Sequence, residues 1–296
     1  METLTSQLLM EHWKTFQKDR EANPELYKLR STGLRSLDNI LGGGVEYGNM
    51  IIYGGAQKIG KSTLLQCTAQ AFGRREEPFI YFSGEMTNMA MATRLICSVS
   101  GVDKGRVRRI ALDDLDWHEI VSAEKEIANY KGWWNYGFSN LKQIDYVLSE
   151  LETKAGVDVR TIFVDYIQLM ENPGKRTRTE ELEDLSHAFK RMSINRKKPM
   201  LVFIAAQLNR QSIRGQIVDA NSFLGTGALE RDMDVGVIIT NAKDDTGRIL
   251  DSYRELVVVG SRETAISHCR IRFNGATSKL ADVDEVGTTI DLDYWK

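Results

Sequence analysis

The sequence predicts an α/β domain whose mainly parallel, twisted sheet carries helices on both faces and ends in an antiparallel edge. Three observations predict it. Strand-length apolar runs at 49–53 (NMIIY), 78–82 (PFIYF), 161–165 (TIFVD) and 200–206 (MLVFIAA) are separated by helix-length segments, the alternation that builds parallel sheets. A glycine-rich turn joins the first run directly to a helix that starts at Lys61. Three further β-rich runs, near 235–240, 255–259 and 269–273, follow one another without room for the crossover helices that parallel neighbours need.

In chain order, residues 5–20 (TSQLLMEHWKTFQKDR) set Leu8, Leu9, Trp13 and Phe16 close to an i, i+4, i+8 stripe, which predicts an amphipathic helix. Asn23-Pro24 stops it, and 25–35, poor in apolar residues, reads as a linker. Helices are expected from Lys61 to about Phe72, near 88–99, at 116–130, at 140–154 and near 179–195, each between predicted strands or leading to one. The organisation is thus an N-terminal helix and linker over 1–30 and one domain over 31–296.

Bulk properties narrow the classes. With 296 residues, 42% hydrophobic and 27% charged, the chain has ordinary globular composition. Its apolar runs are too short to cross a bilayer, and its N-terminus has no signal-peptide pattern. Cys67, Cys97 and Cys269 lie far apart, without the paired spacing of a zinc site or a disulfide framework. A net charge of −2 excludes a globally basic nucleic-acid binder but leaves room for a local basic track.

The strongest motif is Gly55-Ala56-Gln57-Lys58-Ile59-Gly60-Lys61-Ser62, followed by Thr63, which matches G-x-x-x-x-G-K-[ST] at every required position. Gly55 and Gly60 let the backbone curl with its N–H groups inward, where they cradle phosphate oxygens. The following helix adds its positive N-terminal end. Lys61 reaches the β- and γ-phosphates, and the Ser62 hydroxyl ligates Mg²⁺. The apolar strand before the loop and the helix after it supply the context that a chance Gly-rich turn lacks.

Three strand-end residues accompany the loop. Asp165 ends TIFVD, where an acid either reaches the Mg²⁺ shell or caps a turn. Glu85 follows the run 78–82 and either orients an attacking water or serves as a helix N-cap acid. Gln207 follows 200–206, where an amide contacts a γ-phosphate or is simply polar.

Thr32-Gly33-Leu34-Arg35-Ser36-Leu37-Asp38, the Gly42-Gly43-Gly44 loop and the phosphate motif are shared by RecA-like P-loop ATPases broadly. Ser83-Gly84-Glu85-Met86, Asp165-Tyr166-Ile167-Gln168-Leu169-Met170 and Ala206-Gln207-Leu208-Asn209-Arg210 are narrower. With the 225–234 segment (GTGALERDMD) and Gly260-Ser261-Arg262, they resemble the C-terminal ATPase domain of DnaB-like replicative helicases, in one collinear order over about 30–280. The resemblance implies a RecA-like P-loop fold, ATP hydrolysis with Mg²⁺, and translocation on single-stranded DNA during replication. It makes Glu85 the residue that activates water, Asp165 the Walker B acid, Gln207 the γ-phosphate sensor, and Arg262 a finger reaching the neighbouring subunit's ATP site. A homo-oligomer follows, most simply a hexameric ring, with residues 1–30 as the arm that docks between subunits. Primase or a helicase loader is the implied protein partner, and the cytoplasm, in a nucleoid or phage replication complex, the implied location.

The same resemblance places two loops along a ring's channel. Lys175, Arg176 and Arg178 lie in one, and Arg210 and Arg214 flank the other, where they would neutralise DNA phosphates independently of sequence. Gly225, Thr226 and Gly227 stand in the DNA-facing segment, whose glycines allow backbone N–H contacts to phosphates. Gly260 stands where the family usually has a lysine, leaving Arg254 or Lys243 as candidate substitutes for that cation. Arg106–Arg109 (RVRR) read as solvated surface and Trp133-Trp134 as buried core aromatics. Two other readings share the phosphate motif: a RecA/RadA-type recombinase and a non-translocating ATP-binding clamp or loader.

Overall fold

A computed structural model describes residues 5–138, 140–172, 177–196, 198–208, 223, 227–261 and 267–283. Its elements run α1 (Ser6–Ala22), α2 (Pro24–Tyr27), α3 (Arg35–Ile40), β1 (Met50–Gly55), α4 (Lys61–Arg74), β2 (Phe79–Ser83), α5 (Asn88–Ser100) and α6 (Lys104–Arg108). There follow α7 (Asp114–Ala128), β3 (Gly132–Tyr136), α8 (Leu141–Lys154), β4 (Thr161–Asp165), a 3-10 turn (Ile167–Leu169), α9 (Arg178–Asn195) and β5 (Leu201–Gln207). The chain closes with α10 (Gly227–Asp232), β6 (Val235–Lys243), β7 (Ile249–Ser261), β8 (Ser267–Asn274) and β9 (Lys279–Asp282).

The strands form one nine-stranded sheet in the order β3-β2-β4-β5-β1-β6-β7-β8-β9. Pairing is parallel from β3 through β6 and antiparallel from β6 to β9, so the expected fold class holds. Side-chain alternation splits the core in two. On one face Ile51, Tyr53, Phe79, Tyr81, Phe163 and Phe203 meet Leu37 of α3 and Leu64, Leu65 and Phe72 of α4. On the other, Met50, Ile52, Ile80, Phe82, Val164 and Ile204 meet Ile144 and Leu148 of α8, Leu185 and Phe189 of α9, and Leu229 of α10. Phe163 and Phe203 stack across β4 and β5 with centroids 4.9 Å apart.

Local chemistry sets the helix ends. Thr177 caps α9 in a reciprocal capping box with Glu180, and Asp113 does the same for α7 with Asp116. Gly101 ends α5 at φ +77°, the left-handed conformation that glycine adopts without strain. Thr87, not Glu85, is the N-cap of α5.

Several elements depart from the sequence expectation, among them the short helices α3, α6 and α10. The linker after Pro24 begins with a helical turn, α2, whose Tyr27 ring meets Phe16 of α1 edge-on at 5.2 Å. Arg106–Arg109 lie on α6 and its C-cap, where Arg106 pairs with Asp113 and Asp116, while Arg108 and Arg109 are exposed as expected of surface. Trp133 and Trp134 are half-buried rather than fully buried, because they belong to the edge strand β3. A fourth C-terminal strand, β9, completes the antiparallel edge. α1 buries none of its residues, and Leu8, Leu9, Trp13 and Phe16 are exposed.

Candidate nucleotide site

Strand register gathers the site. β1 lies between β5 and β6, and the next strand in sequence, β2, is reached only by passing over β5 and β4. Such a switch opens a crevice at the carboxyl ends of parallel strands, where open α/β sheets bind ligands. Gly55 pairs with Gln207 and Ser83 with Asp165, so four strand ends finish along one rim.

The 56–60 loop rises from β1 and feeds α4. Gly60 sits at φ +123° and Lys58 at φ +64°. At Gly55 a Cβ would approach Ile59 and Ile239 side chains within 2.7 and 2.8 Å, so packing excludes any larger residue. Ile59 is buried and anchors the loop, whereas Gln57 and Lys58 are exposed. The Lys61 ammonium donates to the carbonyls of Gly55 (3.0 Å) and Ala56 (2.8 Å), bending back across the loop it follows. Burial lowers its pKa, and the charges of Asp165 and Glu85 oppose that shift. Thr63 is buried in the first turn of α4, whose unpaired N–H groups face the loop end.

Asp165 is 1% exposed and is no turn cap. Its Oδ1 accepts from Ser62 Oγ at 2.9 Å and its Oδ2 from Tyr81 Oη at 3.0 Å. Burial raises its pKa; the two hydroxyls and the Arg94 charge pull the other way. Burial beside this carboxylate also pushes the Tyr81 phenol well above its usual value. Glu85 lies just past β2 and is exposed, and Met86 N–H donates to Ser83 Oγ to form the turn that presents it. Gln207 ends β5, its backbone N–H held by the Gln168 side-chain oxygen at 3.1 Å.

Among the described residues no three His, Cys, Asp or Glu side chains converge as a metal cage. Two oxygens from Ser62 and Asp165, with phosphate oxygens completing the set, instead match the way Mg²⁺ is usually held.

Two supports escaped sequence reasoning. Tyr81 is the second donor to Asp165, fixed between the rings of Trp134 (5.0 Å) and Phe163 (6.1 Å). Arg254 of β7 is 8% exposed and donates Nε to the Ile59 carbonyl at 3.1 Å, its guanidinium 4.1 Å over the Phe273 ring. It therefore braces its own loop. Lys243 ends β6.

Of the remaining expected residues, Arg178 begins α9 and pairs with Glu181, and Gly227 begins α10 and is exposed. Lys175, Arg176, Arg210, Arg214, Gly225, Thr226 and Arg262 lie outside the described residues. No helix among the described residues is long and apolar enough to cross a membrane.

Known proteins resemble this chain in sequence and fold. The replicative DNA helicase DnaB of Leifsonia xyli subsp. xyli is 27% identical over 260 residues, which are 85% of this chain and 55% of that protein. The same-named protein of Treponema pallidum is 26% identical over 253 residues, 84% of this chain and 55% of its own length. The chain thus spans about half the length of these relatives. Among solved structures, one isolated ATPase domain superposes with a TM-score of 0.81 at 17% identity, covering 93% of this chain and 99% of that one. A DnaB-like replicative helicase, described with its interactions with primase, gives 0.78 at 18% identity over 91% of this chain and 67% of its own. The family model for the DnaB-like helicase C-terminal domain matches residues 30–282, and the chain belongs to that family.

Proposed function

We propose that the chain is an ATP-hydrolysing motor of a DnaB-like helicase that moves on single-stranded DNA as a homo-oligomeric, most simply hexameric, ring. The observation that carries this reading is the meeting of Lys61, Ser62 and Asp165 at one rim of the sheet, with Glu85 and Gln207 on the neighbouring strand ends. The family membership and the named relatives favour a helicase over a recombinase or a passive clamp.

The residues fit ATP and Mg²⁺. Backbone N–H groups over 55–63 and the N-terminal end of α4 receive the phosphates, and the Lys61 ammonium swings from its two carbonyls onto them. Ser62 and Asp165 supply hard oxygens for the cation, and Tyr81 holds Asp165 in place. Bound Mg²⁺ neutralises charge on the phosphates. Glu85, exposed beside the loop, accepts a hydrogen bond from water and its proton during attack. Gln207 reads the γ-phosphate. Arg262 of a neighbouring subunit completes the site, because an arginine finger stabilises charge on the transferring group by about 10³–10⁵ in rate.

Lys175, Arg176, Arg178, Arg210 and Arg214 form the DNA track with the 225–227 backbone. Primase or a loader is the protein partner in a replication complex. Strand displacement on a forked duplex, beside ATPase measured with and without single-stranded DNA, tests the reading. Wild-type protein should unwind with ATP and Lys61→Ala should not. Folded protein that hydrolyses ATP yet never separates strands would return it to a clamp, and filaments rather than rings in electron micrographs would point to a recombinase.

A further inference from the structure

The 3-10 turn after β4 joins two places that the proposed function uses separately. Gln168 is at its centre. Its side-chain Oε1 accepts the backbone N–H of Gln207 at 3.1 Å, which pins the end of β5. Its main-chain carbonyl accepts from Arg178 Nη2 at 2.8 Å, which pins the first turn of α9. Arg178 pairs with Glu181 on the same turn, so its guanidinium is held at both ends.

The nucleotide side is tied in as firmly. Leu208 N–H donates to the Gly55 carbonyl at 3.3 Å, the same carbonyl that Lys61 approaches. Asp165, bonded to Ser62, stands three residues before Gln168 in the chain. The turn is closed and anchored: Leu169 and Met170 N–H groups donate to the Tyr166 and Ile167 carbonyls, and Ile167 and Met170 are buried. A shift at the end of β5 therefore moves the Gln168 side chain, and the turn carries that movement to Arg178.

We propose that Gln168 is a positioning residue that couples the nucleotide-sensing end of β5 to the start of α9, and so to the loop that the proposed function assigns to DNA. The coupling rests on that reading for its purpose but not for its geometry. Glutamine suits the role because one side chain offers an acceptor beyond the turn while its own carbonyl faces the opposite way. Methionine at the same length has no comparable acceptor, whereas glutamate keeps one.

The experiment uses the full chain with Gln168→Met and Gln168→Glu. Amide exchange is followed with and without a non-hydrolysable ATP analogue and Mg²⁺, and no DNA. In wild type the analogue should slow exchange both at the end of β5 and in the first turn of α9. Gln168→Met removes the acceptor of Gln207 itself, so the first response is read at Leu208, whose N–H bonds the Gly55 carbonyl, and should be kept there while the second is lost; Gln168→Glu should restore it. In ATPase assays, the ratio of DNA-stimulated to unstimulated rate should fall about fivefold in Gln168→Met, the worth of one hydrogen bond.

An α9 response in Gln168→Met equal to wild type overturns the proposal. So does loss of both responses, which would make Gln168 merely structural, failure of Gln168→Glu to restore, or a wild-type α9 that ignores the analogue. If the exchange pattern is as expected but DNA never stimulates the wild-type ATPase, the coupling stands and the helicase reading falls.

Discussion

Arg254→Met tests whether an edge strand sets the shape of the phosphate loop. Arg254 is 8% exposed; its Nε donates to the Ile59 carbonyl at 3.1 Å, and Nη1 donates to the Asp251 and Tyr253 carbonyls at 2.9 and 2.7 Å. The guanidinium also covers the Phe273 ring at 4.1 Å. Methionine retains the apolar stem but none of the donors. Ile59 is buried, so its carbonyl loses its partner away from water, at a cost of about 1–3 kcal/mol. Loss of a largely desolvated cation–π contact adds ~2 kcal/mol. Against this, methionine avoids the cost of burying a charge, which is also what lowers the Arg254 pKa, an offset of roughly 1–2 kcal/mol. The balance is a destabilisation of about 1–4 kcal/mol, read by equilibrium urea unfolding of the nucleotide-free chain. Because the loosened loop must then be ordered by its ligand, affinity for an ATP analogue should fall by about tenfold, or ~1.4 kcal/mol. Arg254→Lys, with one compact cation in place of the fork, should recover less than half of both losses. A stability loss under about 0.5 kcal/mol with unchanged analogue affinity would refute the brace.

Three further outcomes are expected. Burial raises the Asp165 pKa, so the folded chain keeps a proton that the unfolded chain has released, and wild-type stability falls as pH rises from the ordinary carboxylate value through the raised one. Asp165→Asn should flatten that slope in urea titrations without nucleotide while abolishing Mg²⁺-dependent ATP turnover; parallel pH curves would show that Asp165 does not ionise in that window. Glu85→Gln should bind ATP and single-stranded DNA persistently but hydrolyse at least about 10²-fold more slowly, since an amide cannot take the water's proton, and near-normal turnover would leave Glu85 as an ordinary loop acid. Lys61→Ala and Arg262→Ala, each inactive alone, should regain partial ATPase when mixed, and no recovery in a mixture shown to co-assemble counts against a finger in trans.

What the sequence made visible was the part whose geometry is local. Gly55–Ser62 encode their own fold: glycines where φ is positive or packing is closest, a lysine and serine at the helix start. Asp165, Glu85 and Gln207 were visible because each ends or just follows an apolar run, and a strand's end is easy to find even when its neighbour is not. β3 was not visible. Gly132–Tyr136 is short and aromatic, it follows a helix, and its half-buried faces lack the aliphatic continuity of the central strands. β9 has four residues, too few for a pattern to emerge.

The missed supports share a different cause. Tyr81 and Asp165 lie 84 positions apart, Arg254 and Ile59 195 apart. The sequence offers Arg254 only as a candidate cation toward a neighbour, and nothing near it marks it as a brace of its own loop. It is buried because β7 pairs with β6, Arg254 opposite Asn241 and also opposite Ile271 of β8, and β6 in turn pairs with β1 beneath the loop. The site is thus a product of register: Gly55 meets Gln207 and Ser83 meets Asp165 only while β1, β5, β2 and β4 keep their alignment. A slip of one residue in any of them would turn its side chains to the opposite core and carry its strand-end group away from the rim. Tyr53, Phe163 and Phe203, packed on one face, oppose that slip. The aromatic core therefore does more than stabilise the sheet: it keeps the strand-end groups together, and the proposed chemistry depends on that.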